Sequence, residues 1–67
     1  MILKKFISTM ETSNQSSITL KIIEENNIGL YDGIAINILT NEEYIWLHDK
    51  PILCWHIVDE KTIEICI

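Results

Sequence analysis

The stretch GIAINILTNEEYIWLHDKPILCWHIVDEKTIEICI, residues 33–67, decides the predicted fold. It contains four short apolar runs, rich in β-branched and aromatic residues and separated by polar turn residues. Runs of this kind, spaced by roughly ten residues, are typical of antiparallel strands. This half of the chain therefore predicts four β-strands.

The four predicted strands can be paired as a meander, and the pairing tests the prediction. The turns would be Asn41-Glu42, Asp49-Lys50 and Glu60-Lys61. This register collects apolar side chains on one face, which we expect to form the core: Ile34, Ile36, Ile38, Ile45, Leu47, Ile52, Cys54, Val58, Ile63, Ile65 and Ile67. Because side chains alternate between faces, a slip of one residue at any turn would scatter this set.

The second face of the predicted meander is unusually apolar. It collects Asn37, Leu39, Tyr44, Trp46, His48, Leu53, Trp55, Ile57, Glu64 and Cys66. A solvated sheet face is normally polar, whereas this one carries both tryptophans. Two interpretations stay open: the N-terminal segments or closure into a barrel cover the face, or the face binds a partner.

The N-terminal half is ambiguous between strands and helices. Two more strands are favoured, over 2–10 and 18–23, because apolar residues alternate with polar ones in the second run and 11–17 has turn chemistry. In the alternative, one helical face is formed by Ile2, Leu3, Phe6, Ile7 and Met10. A second helix would then cover 18–26, capped by Ser17.

These runs predict a single domain, residues 1–67, because so short a chain has no room for a second core. The expected class is all-β, with about six antiparallel strands in a meander curled as a barrel or a two-layer sheet. The alternative is α+β, with two short N-terminal helices on a four-stranded antiparallel meander.

The charge balance restricts the class of partner. The net charge is −5, with five lysines and no arginine, which argues against binding the nucleic-acid backbone directly. No apolar run is long enough to cross a membrane. Glu42, Glu43, Asp59 and Glu60 are expected at one end of the meander, where they would favour a protein partner with a basic surface.

The candidate chemistry does not converge on a catalytic or metal site. Cys54 and His56 share one predicted face, whereas His48 and Cys66 fall on the other, so no metal-ligand set is expected. Cys54 would lie in apolar surroundings that do not activate a thiol. We expect no enzyme and no cofactor.

The sequence therefore predicts a small acidic protein-binding module, an inhibitor or accessory protein of phage or mobile-element type. Its expected partner-binding residues are Tyr44, Trp46, Leu53 and Trp55, with the acidic Glu42, Glu43, Asp59 and Glu60. The alternative is a structural β protein that self-assembles as a homodimer or ring, using this face or the last strand, 62–67. A weaker third hypothesis is a small apolar ligand held inside a barrel.

The isoleucine-rich, arginine-free composition favours a low-GC bacterium or its phage as the source. The opening residues turn polar too early for a signal peptide, and two cysteines are too few for a disulfide framework. The expected location is the bacterial cytoplasm.

Overall fold

The fold is α+β in a computed structural model that describes residues 1–67. The helices are α1 (Leu3–Ser8), α2 (Thr12–Ser17) and α3 (Ile36–Thr40), and the strands are β1 (Thr19–Glu24), β2 (Ile28–Ile34), β3 (Cys54–Asp59) and β4 (Thr62–Cys66). Short 3₁₀ helices cover Glu25–Asn27 and Glu42–Leu47. The alternative α+β class therefore fits better than the six-stranded all-β prediction, which is wrong.

The four strands form one open mixed sheet in the order β2-β1-β4-β3. The pairs β1–β2 and β3–β4 are antiparallel, but β1 and β4 run parallel in the centre of the sheet. The predicted meander and barrel are both wrong, because a parallel central pair requires the chain to cross over between β2 and β3. The crossover is the segment that contains α3 and the longer 3₁₀ helix.

The first seventeen residues form two helices instead of a strand and a turn. Leu3 and Ile7 are fully buried one helical turn apart on α1, as expected for one apolar helix face. The Gln15 side-chain amide of α2 donates hydrogen bonds to the carbonyl oxygens of Ile7 (3.0 Å) and Met10 (3.2 Å). These bonds link α2 to the last turn of α1 and to the residue Met10 that follows it.

The prediction of a strand over 18–23 is confirmed by β1, so the alternative placement of a helix over 18–26 is wrong. The chain then reverses into β2 through Asn26 and Asn27, whose φ angles are 71° and 60°. Asparagine adopts this left-handed conformation more readily than other residues with a side chain. The two asparagines therefore fix the position of the hairpin.

Residues 36–47 are helical, although two strands were predicted there. Ala35, Ile38 and Leu39 are buried or half-buried at the spacing of a helix face, and the same short apolar run also satisfies a strand pattern. Asn41 is not a strand turn: its side-chain oxygen accepts a hydrogen bond from the backbone N–H of Glu43 at 3.1 Å. It is the N-cap of the 3₁₀ helix Glu42–Leu47.

The core lies between the helices and one face of the central strands. Its eight fully buried residues are Leu3, Ile7, Leu20, Ile22, Ala35, Ile38, Leu47 and Ile65. We call the sheet face that carries Leu20, Ile22 and Ile65 the covered face, and the face that carries Lys21 and Glu64 the open face. β3 contributes no residue to the buried core. None of the helices is long and apolar enough to span a membrane.

The turn between β3 and β4 is the predicted Glu60-Lys61, which is confirmed by the pairing of Asp59 with Thr62. The register then shifts between Ile57 and Asp59, which leaves Val58 as an extra, bulged residue. Every residue of β3 before the bulge therefore points to the face opposite to the predicted one.

The bulge corrects the predicted faces of β3. Trp55 lies opposite Ile65, so it belongs to the covered face, not to a second aromatic face. Cys54 lies opposite Cys66, so both belong to the open face, and the predicted placement of Cys54 in the core is wrong.

Candidate protein-binding surface

β3 is the outer strand of the sheet, and all six of its residues are exposed. Its apolar side chains are exposed to an unusual degree: Trp55 by 54%, Ile57 by 66% and Val58 by 49%, with Leu53 just before the strand at 65%. One side of β3 pairs with β4, and its other backbone edge is free. We call these four side chains and this free edge the edge surface.

The edge surface is exposed because the helical layer ends before it reaches β3. Trp55 and Ile57 belong to the covered face, where they pair with Ile65 and Ile63 of β4. The Phe6 ring of α1 lies 6.2 Å from the Trp55 ring, centroid to centroid. Phe6 thus supports one side of the indole and leaves the rest accessible.

A shallow apolar cleft of about 440 Å³ adjoins the edge surface. It is lined by Met1, Phe6, Ile52, Leu53, Cys54 and Trp55. The cleft is formed by backbone pairing between the first residues and the segment before β3. Ile2 forms an antiparallel bridge with Pro51, and the Ile52 N–H donates to the Met1 carbonyl at 2.9 Å. The cleft can receive an apolar side chain beside the Trp55 indole.

The far end of β3 is acidic and conformationally fixed. The Asp59 carboxylate accepts a hydrogen bond from the backbone N–H of Lys61 at 2.8 Å. This bond, followed by one from the Thr62 hydroxyl, holds the pKa of Asp59 below its ordinary value. Asp59 therefore stays ionised at neutral pH, next to the exposed Glu60.

The open face beside β3 is polar in its middle. Lys21 lies between Asp32 and Glu64 in a row across three strands. The row continues to His56, whose Nε2 is 3.5 Å from a Glu64 carboxylate oxygen. Alternating charges across strands are typical of a solvated sheet face. The open face is therefore a weaker candidate for partner binding than the edge surface.

The structure brings together only half of the predicted partner-binding residues. Leu53, Trp55, Asp59 and Glu60 lie on β3 or at its two ends. The other four predicted residues, Tyr44, Trp46, Glu42 and Glu43, belong to the 3₁₀ helix that follows α3. The predicted shared aromatic face and shared acidic end are therefore wrong.

Each residue on the 3₁₀ helix has a local environment of its own. Tyr44 is half-buried and packs edge-on against Tyr31, with ring centroids 4.8 Å apart. Burial raises the pKa of this Tyr31 hydroxyl, which donates to the Ile34 carbonyl at 2.6 Å. Glu42 and Glu43 lie in the first turn of the helix, where carboxylates complement the exposed N–H groups. Trp46 is 52% exposed.

The sequence interpretation missed several contributors to the edge surface. Val58 was assigned to the core, whereas it is half-exposed on the bulge. Phe6 was predicted on an N-terminal strand or helix and Met1 in neither, and nothing indicated that the two residues line a cleft. Met1 could not be identified from local sequence, because its place in the cleft depends on the long-range bridge between Ile2 and Pro51.

The side chains form no cluster of three or more His, Cys, Asp and Glu that could hold a metal ion. One argument against a ligand set was nevertheless wrong, since Cys54, His56 and Cys66 all lie on the open face. No protein-family model, curated protein or solved structure matches this chain. Its function is therefore inferred from the geometry of its surfaces.

Proposed function

We propose that this chain is a small acidic protein-binding module that takes up an extended segment of a basic partner protein along β3. The observation that carries the proposal is the exposure of the entire outer strand, including Trp55 and Ile57. Large exposed apolar side chains grouped on one strand commonly mark an interaction surface.

The free edge of β3 provides the backbone part of the binding. An extended peptide can add a strand to an exposed sheet edge, where main-chain hydrogen bonds supply affinity and side-chain pockets supply specificity. The cleft beside Trp55 is such a pocket, and it is partly pre-formed because Phe6 supports the indole. A supported tryptophan at the centre of the patch is the residue type expected to dominate binding energy.

The charge distribution selects the partner. The chain carries ten acidic residues against five lysines, and Asp59 and Glu60 lie where the partner segment would leave β3. A partner segment with apolar residues at alternating positions and lysine or arginine at one end fits both features. Charge complementarity of this kind mainly raises the association rate and specificity.

Such a module has no need of catalysis: by occupying a segment of its partner it acts as an inhibitor or accessory protein. The isoleucine-rich, arginine-free composition supports an origin in a low-GC bacterium or its phage, and the proposed place of action is the cytoplasm.

The test is a selection of random linear peptides displayed on phage against the immobilised full chain. We expect peptides with alternating apolar residues and a basic end. Their affinity should fall about tenfold or more in Ile57→Lys and Trp55→Ala, the loss expected from an interface anchor. The proposal is wrong if no such peptides are selected, or if these variants bind them as tightly as the wild type.

Two matched controls separate the edge surface from general effects. Ile28 is 54% exposed on β2, at the opposite edge of the sheet, so Ile28→Lys makes the same chemical change away from β3. Trp46→Ala removes an equally exposed indole from the 3₁₀ helix. Both controls should bind the selected peptides with wild-type affinity. Circular dichroism of each variant confirms that the fold is intact.

A second candidate function is self-association through the same strand. An antiparallel pairing of two β3 strands about a twofold axis at His56 places Trp55 of one copy opposite Ile57 of the other, twice, on the same face. This self-complementary register favours a homodimer with a continuous eight-stranded sheet. The last strand cannot serve as the free edge that was predicted, because β4 lies between β1 and β3.

Light scattering on a sizing column, over a range of protein concentrations, distinguishes the two candidates. A homodimer would show a concentration-dependent doubling of mass that Ile57→Lys abolishes and Ile28→Lys leaves unchanged. A strictly monomeric wild-type chain would exclude self-association and leave β3 free for a different protein.

A further inference from the structure

The two cysteines of the chain meet on the open face of the sheet, where Cys54 of β3 lies directly opposite Cys66 of β4. Both are free thiols. Directly opposite residues of an antiparallel pair have Cα atoms about 4.5–5.5 Å apart, and a disulfide needs a Cα separation of about 4.4–6.8 Å. The backbone therefore holds the two cysteines at bridging distance without rearrangement.

The environments of the two thiols differ. Cys54 is exposed, whereas Cys66 is half-buried. The pKa of the Cys66 thiol is raised above its ordinary value, first by a hydrogen bond with the Cys54 thiol and then by burial. The two side chains lie on the same face of directly opposed positions. Cys54 is the thiol that a dissolved oxidant reaches first, and Cys66 is kept protonated beside it.

We propose that Cys54 and Cys66 are a modification site that forms a reversible intramolecular disulfide with a low-molecular-weight disulfide as oxidant. The Cys54 thiolate attacks one sulfur of the oxidant, which forms a mixed disulfide and releases one thiol. Cys66 loses its proton and attacks the Cys54 sulfur, which closes the bridge and releases the second thiol. The protein loses two protons and two electrons, and the oxidant is reduced to two thiols.

The bridge would change the least anchored strand of the sheet. β3 has no buried residue, and its only neighbouring strand is β4. A bond between Cys54 and Cys66 closes the hairpin at the end opposite its turn, so β3 can no longer separate from β4 at either end. In a reducing compartment the pair stays a dithiol, and a rise in disulfide oxidant converts the hairpin to its pinned form.

The inference does not rest on the proposed function. Cys54 also lines the cleft beside Trp55, but the bridge is inferred from the pairing of Cys54 with Cys66 alone. Bridge formation is measured without any partner, so its failure would leave the peptide-binding test unaffected.

The experiment equilibrates the full chain in buffers with increasing ratios of oxidised to reduced glutathione, traps free thiols by alkylation and measures mass. We expect a monomer that has lost the mass of two hydrogen atoms and carries no alkyl groups. Excess reduced glutathione should reverse the change. The oxidised form should melt about 10 °C higher than the reduced form, as expected for a hairpin-sized loop in a small domain.

A matched variant tests whether the register is responsible. The double variant Cys66→Ser, Glu64→Cys keeps two cysteines on the same face of the same strand pair, but diagonally, at a Cα separation of about 7–8 Å. It should accumulate glutathione adducts where the wild type forms the bridge. The single variant Cys54→Ser should show no rise in melting temperature on oxidation.

Two results would overturn the proposal. One is the accumulation of glutathione adducts or disulfide-linked dimers of the wild type in place of the internal bridge. The other is an internal bridge that forms equally readily in the diagonal variant, since the directly opposed register would then confer no advantage.

Discussion

β4 and β3 are neighbouring strands of similar apolar character, but they differ in how far their side chains are buried. Ile65 of β4 is fully buried, whereas Trp55, directly opposite it on β3, is 54% exposed. The difference comes from position in the sheet: β4 lies between two strands, whereas β3 is outermost, where the Phe6 ring of α1 lies 6.2 Å from the Trp55 ring. Apolar residues on β4 therefore stabilise the fold, and those on β3 are available for binding.

The largest expected loss of stability follows from a substitution at Ile65. Ile65→Ala should lower the free energy of unfolding by about 2–5 kcal/mol, because it removes buried methyl groups and leaves a cavity in the core. In so small a domain this loss is comparable to the total stability. Urea denaturation followed by circular dichroism measures it. The same substitution at Ile57 should cost less than about 1 kcal/mol, and an equal loss at both positions would contradict the contrast between the strands.

The next largest expected effect is a difference in stability between the two tryptophan variants. Trp55→Ala loses the ring contact with Phe6 and should lower the free energy of unfolding by about 1 kcal/mol. Trp46 has a similar exposure but no aromatic partner, so Trp46→Ala should have a smaller effect. Thermal melts of both variants test this order. A larger loss for Trp46→Ala would mean that the 3₁₀ helix contributes more to the core than β3 does.

A smaller effect is expected when charge is added to the two outer strands. Ile57→Lys and Ile28→Lys should each change the free energy of unfolding by less than about 0.5 kcal/mol, because both side chains are largely exposed. Lysine on an outer strand also discourages pairing with other chains. A large destabilisation by Ile57→Lys alone would show that β3 depends on its apolar residues for folding.

The smallest effect concerns the pH dependence of the β3–β4 turn. The pKa of Asp59 is lowered in the folded chain by the hydrogen bonds from Lys61 and Thr62. Its contribution to stability is therefore present above the pKa of the unfolded chain, about 3.9, and is lost as the pH falls through the lower folded value. Acid titration of thermal stability should show this loss in the wild type and less of it in Asp59→Asn. Identical titrations would assign the acid sensitivity to other carboxylates.

Strands β1, β3 and β4 and the turn at Glu60-Lys61 were predictable, because β-branched residues and polar turn residues are local signals. The face that each β3 residue occupies was not predictable, since the bulge at Val58 has no glycine or proline to mark it. A shift of one residue was enough to exchange the faces of Trp55 and Cys54. The candidate site was therefore recovered only in part.

In the helical segments, prediction from the sequence fails for a different reason. In 36–47 the apolar residues satisfy a strand period and a helix period at once, and the packing of Ala35 and Ile38 against the sheet decides between them. The parallel pairing of β1 with β4 carries no local signal, because it joins segments from opposite halves of the chain. Long-range pairings of this kind are set by the whole fold.

The parallel pair also has a consequence for biosynthesis. Thr19 pairs with Thr62, so β1 obtains its central neighbour only after residues 62–66 have been synthesised. Until then the β1–β2 hairpin of a nascent chain lacks β4, so Leu20 and Ile22 are not fully buried. β3 also has no strand with which to pair. Folding on the ribosome therefore waits until β4 has emerged, and a chain interrupted before residue 62 exposes the apolar segments that quality-control proteases recognise.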